Sequence, residues 1–192
     1  MIKNFLSVAM LALLCISLSQ AQEPDFPNPE PQHQWLKQFV GQWTSSSRTI
    51  ASGEQPAMQC TGTMDSRMLG EFWIVNEISG DMDGTKFNAI LTIGFDSDRK
   101  RYVGTWIDSM MNYMWHYEGD VEASGKKLVL IAEGPNVMAE GKTTKFRDSY
   151  EFNTPDTLTS TSEVMDDDGN WVTFMKGTVT RRSNGDSGDA GK

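Results

Sequence analysis

From Gly41 onward, apolar residues recur with a period of two. Phe87, Ala89, Leu91, Ile93 and Phe95 take alternate positions of one segment, and Phe146, Tyr150 and Phe152 share one side of another. Side chains on a strand point alternately to its two faces, so this spacing predicts half-buried strands. Strands are expected near Gln42–Ile50, Met58–Leu69, Phe72–Gly80, Lys86–Phe95, Tyr102–Asp108, Tyr113–Val121, Lys127–Glu133, Thr143–Asn153, Thr157–Met165 and Trp171–Arg181. Turn signals separate them at Ser52-Gly53, Asp83-Gly84, Asp96–Asp98, Ser124-Gly125, Pro155-Asp156 and Asp168-Gly169. Leu69-Gly70-Glu71 reads as a sharp bend, and Gly134–Gly141 as an irregular piece at one barrel mouth. No helical period interrupts the series, so no βαβ unit is available. The fold class expected is all-β: one antiparallel up-and-down β-barrel of about ten strands, closed so that no edge is left exposed.

Upstream the pattern differs. Gln32–Val40 places Trp35, Leu36, Phe39 and Val40 on one helical stripe, with Pro31 in the first turn, His33 on the polar side and Gly41 as the stop. Gln22–Pro31 holds four prolines and reads as an extended leader. Before it, Lys3, the apolar run Phe5–Leu18 and the small residues of Ser19-Gln20-Ala21 read as a secretory signal peptide cut near Ala21. A lipoprotein signal using Cys15 is the alternative, but Leu14 stands where a small residue is wanted. The division expected is signal peptide 1–21, leader 22–31, barrel domain 32–182 and a polar, disordered tail 183–192. The mature protein is expected to be soluble, without a membrane span, and secreted or periplasmic.

Composition narrows the partners. The formal net charge is −9 at pH 7, which argues against nucleic acid and anionic membrane surfaces. Cys15 leaves with the signal, so Cys60 has no intrachain partner; in Met58-x-Cys60-x-Gly62-x-Met64 it lies on an apolar strand face and reads as a small buried hydrophobe.

Arg101–Gly119 is the richest stretch for function. It reads as a hairpin turning about Met110-Met111, by a loop of two or four residues, with Asp108 opposite Tyr113, Trp106 opposite Trp115 and Gly104 opposite Tyr117. Tyr102, Trp106, Tyr113, Trp115 and Tyr117 then share one face, while Val103, Thr105, Ile107, Met114, His116 and Glu118 take the other. An aromatic platform of that extent is buried or is covered by a ligand.

The short helix leading into Gly41-x-Trp43, together with a basic residue, Arg181 or Arg182, ending the last strand, resembles the calycin superfamily of lipocalins and fatty-acid-binding proteins. The resemblance implies an arginine packed across Trp43 to close the barrel floor. From about Gln34 to Arg182 the chain also resembles the bacterial family called domain of unknown function 1579. The similar stretches are Trp35-Leu36 to Trp43, Gly104-Thr105-Trp106-Ile107 through Ser109-Met110-Met111, Glu133-Gly134-Pro135, Lys142-Thr143, Phe146-Arg147-Asp148, and Asp168-Gly169 to Trp171. This implies a calycin-like barrel and transfers no catalytic residue, because the family has no established activity.

Little metal or nucleophile chemistry is visible. His33 and His116 are far apart, and His116 falls on the face opposite the aromatic platform, away from any haem in the lumen. Asp166-Asp167-Asp168-Gly169-Asn170 lacks the ligand spacing of a calcium loop, and it reads with Asp81–Gly84 and Asp96–Asp98 as a hairpin turn. There is no G-x-S-x-G and no phosphate cradle. Asp148 falls between Phe146 and Tyr150 on the inward side and needs a partner such as an inward tyrosine or lysine. The reading is a barrel holding a small, largely apolar molecule, without metal or cofactor. Its candidate lining is Tyr102, Trp106, Met110, Tyr113, Trp115, Tyr117, Phe146, Asp148 and Tyr150, and its candidate floor is Trp43, Arg181 and Arg182. The alternatives are a calycin-type isomerase or hydrolase using Asp148 or Asp108, and a packed structural barrel.

Overall fold

Ten strands follow one another in the computed structural model: β1 Gly41–Thr49, β2 Gln59–Leu69, β3 Trp73–Met82, β4 Thr85–Asp96, β5 Arg101–Asp108, β6 Trp115–Val121, β7 Lys127–Pro135, β8 Thr143–Thr154, β9 Thr157–Met165 and β10 Trp171–Arg181. Residues 26–51, 56–136 and 141–183 are described; the proposed signal peptide, most of the leader, the Ser52-Gly53 turn, residues 137–140 and nearly all of the tail lie outside them. Each strand pairs antiparallel with the next, and β1 pairs with β10, so the sheet closes into an up-and-down barrel.

Alternation decides what points inward. Fully buried residues such as Trp43, Ile74, Leu91, Ile93, Leu128, Leu130 and Leu158 come from the inward faces of five strands and join Leu36 and Phe39 of the entry segment. Two inward polar residues among them are satisfied: Ser66 donates to Asn76 Oδ1 at 2.7 Å, and Asn76 Nδ2 donates to the Leu91 carbonyl at 3.0 Å. In β10 the register shifts between Thr173 and Met175. The extra residue, Phe174, reverses the alternation, so Trp171 turns outward and stacks on Arg147, with 4.5 Å from the guanidinium carbon to the ring centroid.

The entry segment plugs one end. α1 (Pro31–Trp35) is a single α-turn, and Leu36–Phe39 tightens into a 3-10 turn. The helical expectation is corrected at two residues. His33 is buried, not on a polar side: Nδ1 accepts the Glu30 N–H at 2.8 Å, Nε2 lies 3.1 Å from the Phe95 carbonyl oxygen, and the ring packs edge-on against Phe72 and Phe95. Val40 leaves the apolar stripe, 39% exposed, because the backbone is already extended there. Nor does Gly41 act as a helix stop. It opens β1 at φ 131°, and a Cβ on it would run into the Arg181 guanidinium.

Candidate functional site

The barrel is sealed at one end and lined with accessible side chains at the other. At the sealed end Trp43 donates Nε1–H to the Phe39 carbonyl at 2.7 Å, and Arg181 lies over its ring at 4.0 Å. Arg181 is the residue that makes this contact; Arg182 follows it, its backbone N–H donating to the Gln42 carbonyl at 2.7 Å. Trp35, Phe39, Phe95, Tyr102 and Phe152 pack edge to face above the plug. Tyr102 therefore belongs to the floor. It is 3% exposed, its hydroxyl donates to the Gln32 carbonyl at 3.0 Å, and burial pushes its pKa up to about 12.

Toward the other end, inward-facing residues keep accessible surface: Met64, Ile78, Trp106, Phe146, Asp148, Tyr150, Ser160 and Ser162 are all half-buried. Since they point into a closed barrel, that surface borders space inside it. One wall of this chamber is aromatic. The ladder pairs Trp106 with Trp115 and Gly104 with Tyr117, as the hairpin pattern predicts. Trp115 packs edge-on against Tyr113 and Phe146 at 5.0 and 4.9 Å between ring centroids, and Phe146 reaches Phe174 at 6.3 Å. Gly134 makes room for this stack, because a Cβ there would strike both the Trp115 and Tyr113 rings.

Next to it, deeper along β8 and on β9, the lining is hydroxylic. Asp148, inward on β8, pairs across the ladder with Ser162, and Tyr150 pairs with Ser160. The Asp148 carboxylate accepts from the Tyr117 hydroxyl at 2.6 Å and from the Ser162 hydroxyl at 2.5 Å. Burial holds its pKa above the ordinary carboxylate value, outweighing the two hydrogen bonds, with Glu163 nearby adding to the rise. Burial likewise drives the Tyr117 and Tyr150 hydroxyls well above the usual phenol range, and the Asp148 charge reinforces it. Ser160 and Ser162 were not singled out in the sequence, although the alternation Leu158, Ser160, Ser162, Val164 marks them as inward positions.

The hairpin tip departs from the expected pairing. β6 begins at Trp115, so Asp108 does not face Tyr113; its ladder partner is Ala89 on β4. Asp108 instead holds a longer loop: Oδ1 accepts the Met110 and Met111 N–H groups at 2.7 and 2.9 Å, and Oδ2 accepts Trp106 Nε1–H at 2.7 Å. Met110 consequently stands at the exposed tip, 49% accessible, while Met111 packs on the core. Val103, Thr105, Ile107, His116 and Glu118 face outward; Glu118 is paired with Arg99 and Arg101, and Arg147 with Glu163. In the three aspartate-rich turns the first carboxylate accepts turn N–H groups, Asp81 from Gly84, Asp96 from Asp98 and Arg99, and Asp166 from Asp168 and Asn170. Among the described residues no group of three His, Cys, Asp or Glu could hold a metal ion, and no helix is long and apolar enough to cross a membrane.

A family model described as a protein of unknown function, DUF1579, matches residues 28–181. The chain belongs to this family. The match runs from just before the plug to the last residue of β10, so the DUF1579 unit comprises the plug and the whole barrel. No curated protein matches. Among solved structures the DUF1579 barrel is similar to Rv2717c from M. tuberculosis, at 12% identity and a TM-score of 0.60, covering 81% of this chain and 100% of that one. It is also similar to the S-type phycobiliprotein lyase CPES from Guillardia theta, at 16% identity and a TM-score of 0.51, covering 78% of this chain and 92% of that one. At those identities the likeness is one of fold.

Proposed function

We propose that this DUF1579 protein is a binding module that holds a small, largely apolar molecule in the upper half of its barrel. The observation that carries the reading is the contrast between the two ends. The floor is buried, with Leu36, Phe39 and Trp43 at 0–1% exposure, while the inward residues above it, aromatic and hydroxylic, retain accessible surface. Concave apolar sites with a few convergent polar groups are the usual form of small-molecule pockets. The S-type phycobiliprotein lyase from Guillardia theta shares the barrel. Titration with an environment-sensitive apolar dye tests the reading. Trp106→Ala should weaken dye binding by about 1–3 kcal/mol through lost contact area, and His116→Ala, on the outer face, should leave it unchanged. A wild-type protein that binds no dye is a packed barrel.

An enzymatic reading keeps one residue. Asp108 has its carboxylate committed to the loop and to Trp106, whereas Asp148 borders the chamber with a raised pKa, as a general acid or base would. Turnover lost in Asp148→Asn but kept in Asp108→Asn would favour it.

The signal-peptide pattern, Lys3 through Ala21, supports export of the mature chain. Intact mass of protein from its own host should begin at Gln22, and a lipid on Cys15 would remove both the cleavage site and the soluble form.

A further inference from the structure

The charges that point into the barrel are few, and most are negative. Read through the ladder registers, the inward positions of the described strands carry two carboxylates, Asp108 and Asp148, and one cation, Arg181. Arg181 is spent at the floor, held over Trp43 and hydrogen-bonded to the Gln38, Val40 and Pro155 carbonyls and to Asp156. Arg147, the neighbour of Asp148 in sequence, points outward to Glu163 at 2.6 Å. Asp148 thus sits deep in the chamber with hydroxyl donors from Tyr117 and Ser162 but no protein cation beside it. A buried carboxylate without a counter-charge is costly.

Its surroundings suit a cation from outside. Phe146 lies one pleat repeat along β8 on the same face, and Trp115 likewise precedes Tyr117 on β6; these two rings touch at 4.9 Å between centroids. A group moving from the open end toward Asp148 passes that aromatic pair, whose faces attract cations. Asp148 offers two oxygens, each with one protein donor, and a carboxylate oxygen can accept a second. The hydroxyls of Tyr150 and Ser160 on the same wall make no side-chain hydrogen bond among the described residues, so they too can serve a ligand.

We propose that the chamber selects an organic amine: an apolar or aromatic body against Trp106, Trp115 and Phe146, with a protonated nitrogen donating to Asp148. This rests on the binding-module reading above and names the ligand class for it. Three probes of one body separate the two ideas: 4-phenylbutylamine, 4-phenylbutanol and 4-phenylbutyrate, titrated by calorimetry into the mature protein at neutral pH. The amine should bind about tenfold or more tighter than the alcohol, with the carboxylate weakest. Asp148→Asn should erase that preference by weakening the amine about tenfold, with the alcohol, which relies more on the aromatic wall, affected less. Ser162→Ala, which keeps the charge and removes one donor, should retain the preference, and the wild-type series decides the matter even if Asp148→Asn does not fold. Equal binding of the three probes, or an amine preference that survives Asp148→Asn, overturns the amine proposal while leaving a binding chamber. No binding by any probe removes the chamber reading itself, and the amine with it.

Discussion

The guanidinium carbon of Arg181 lies 4.0 Å from the centre of the Trp43 ring. The pair joins the first strand to the last, where the closing β1–β10 ladder matches the same two residues. Trp43 is fully buried, and its only polar hydrogen is taken by the Phe39 carbonyl of the plug. The barrel seam, its floor and the entry segment therefore share one side chain. Trp43→Ala should cost about 3–5 kcal/mol in denaturant unfolding, the scale of a large aromatic deleted from a core. A loss under about 1 kcal/mol would place the floor elsewhere.

Arg181→Lys tests the other half of the pair. Three carbonyls, from Gln38, Val40 and Pro155, converge on the planar guanidinium. An ammonium cannot meet them in that fork and stack at the same time. A loss of about 1.5–3 kcal/mol is expected, the scale of hydrogen bonds to a charged group. Equal stability of the two forms would make the stack incidental.

Cys60 pairs with Ser47 across the β1–β2 ladder and is 8% exposed. Burial raises its thiol pKa, with a hydrogen bond to Ser47 pulling the other way. Both shortage of thiolate and lack of access slow attack on a reagent. A maleimide should react slowly with the native protein and rapidly in denaturant; equal rates would turn the inward face of β2 outward.

Strand positions were legible because one physical signal, period-two burial, runs through the whole domain. β9 and β10 match the expected limits, and the Trp106–Trp115 register follows from alternation alone. In two places where the prediction failed, a hydrogen bond had overruled the pattern. Asp108 collects two loop N–H groups and an indole N–H, so the ladder ends before Tyr113. His33 finds the Phe95 carbonyl across 62 positions of sequence, which no local period encodes. The chamber was half legible. Much of its aromatic lining stands in one hairpin, but its hydroxylic part needs Asp148, Tyr117 and Ser162 to meet from three strands. The room inside is set by side-chain volumes around the full ring, as where Gly134 yields to Trp115.

Asp148 makes stability depend on pH in a direction opposite to that of a salt-bridged carboxylate. Its folded pKa is above the unfolded value, so the folded state binds the proton more tightly. Its contribution is fully present below the unfolded pKa, and it is lost as pH rises through the folded one. The groups facing it are the Tyr117 and Ser162 hydroxyls, with Glu163 and Tyr150 nearby, and none supplies a positive charge. Asp148→Asn removes the buried charge and keeps an acceptor. Its melting temperature relative to wild type should therefore be higher at neutral pH than at pH 4. A constant difference across that range would mean that the carboxylate ionises in the barrel as freely as in water.

The tyrosines set the alkaline limit by the same linkage. Tyr102 is held at about 12 by burial, with Asp120 adding to it, against an ordinary phenol value of 10.0. A raised folded pKa means stability that is whole below the unfolded value and declines as pH climbs through the folded one. The window is therefore about pH 10 to 12, where the unfolded chain releases a proton that the plugged floor retains. Burial also raises Tyr117 and Tyr150 well above the ordinary phenol value, and they add to the decline. The share of tyrosinate absorbance near 295 nm that comes from Tyr102, Tyr117 and Tyr150 should thus rise late in the native protein and in step with loss of structure, instead of near pH 10 as in denaturant. Tyr102→Phe removes the ionisable group but also the hydrogen bond to the Gln32 carbonyl. The variant should be less stable at pH 8 and should lose less stability than wild type between pH 10 and 12. If it loses as much, Tyr102 is not the group that titrates at the floor, and the alkaline limit belongs to the chamber tyrosines alone.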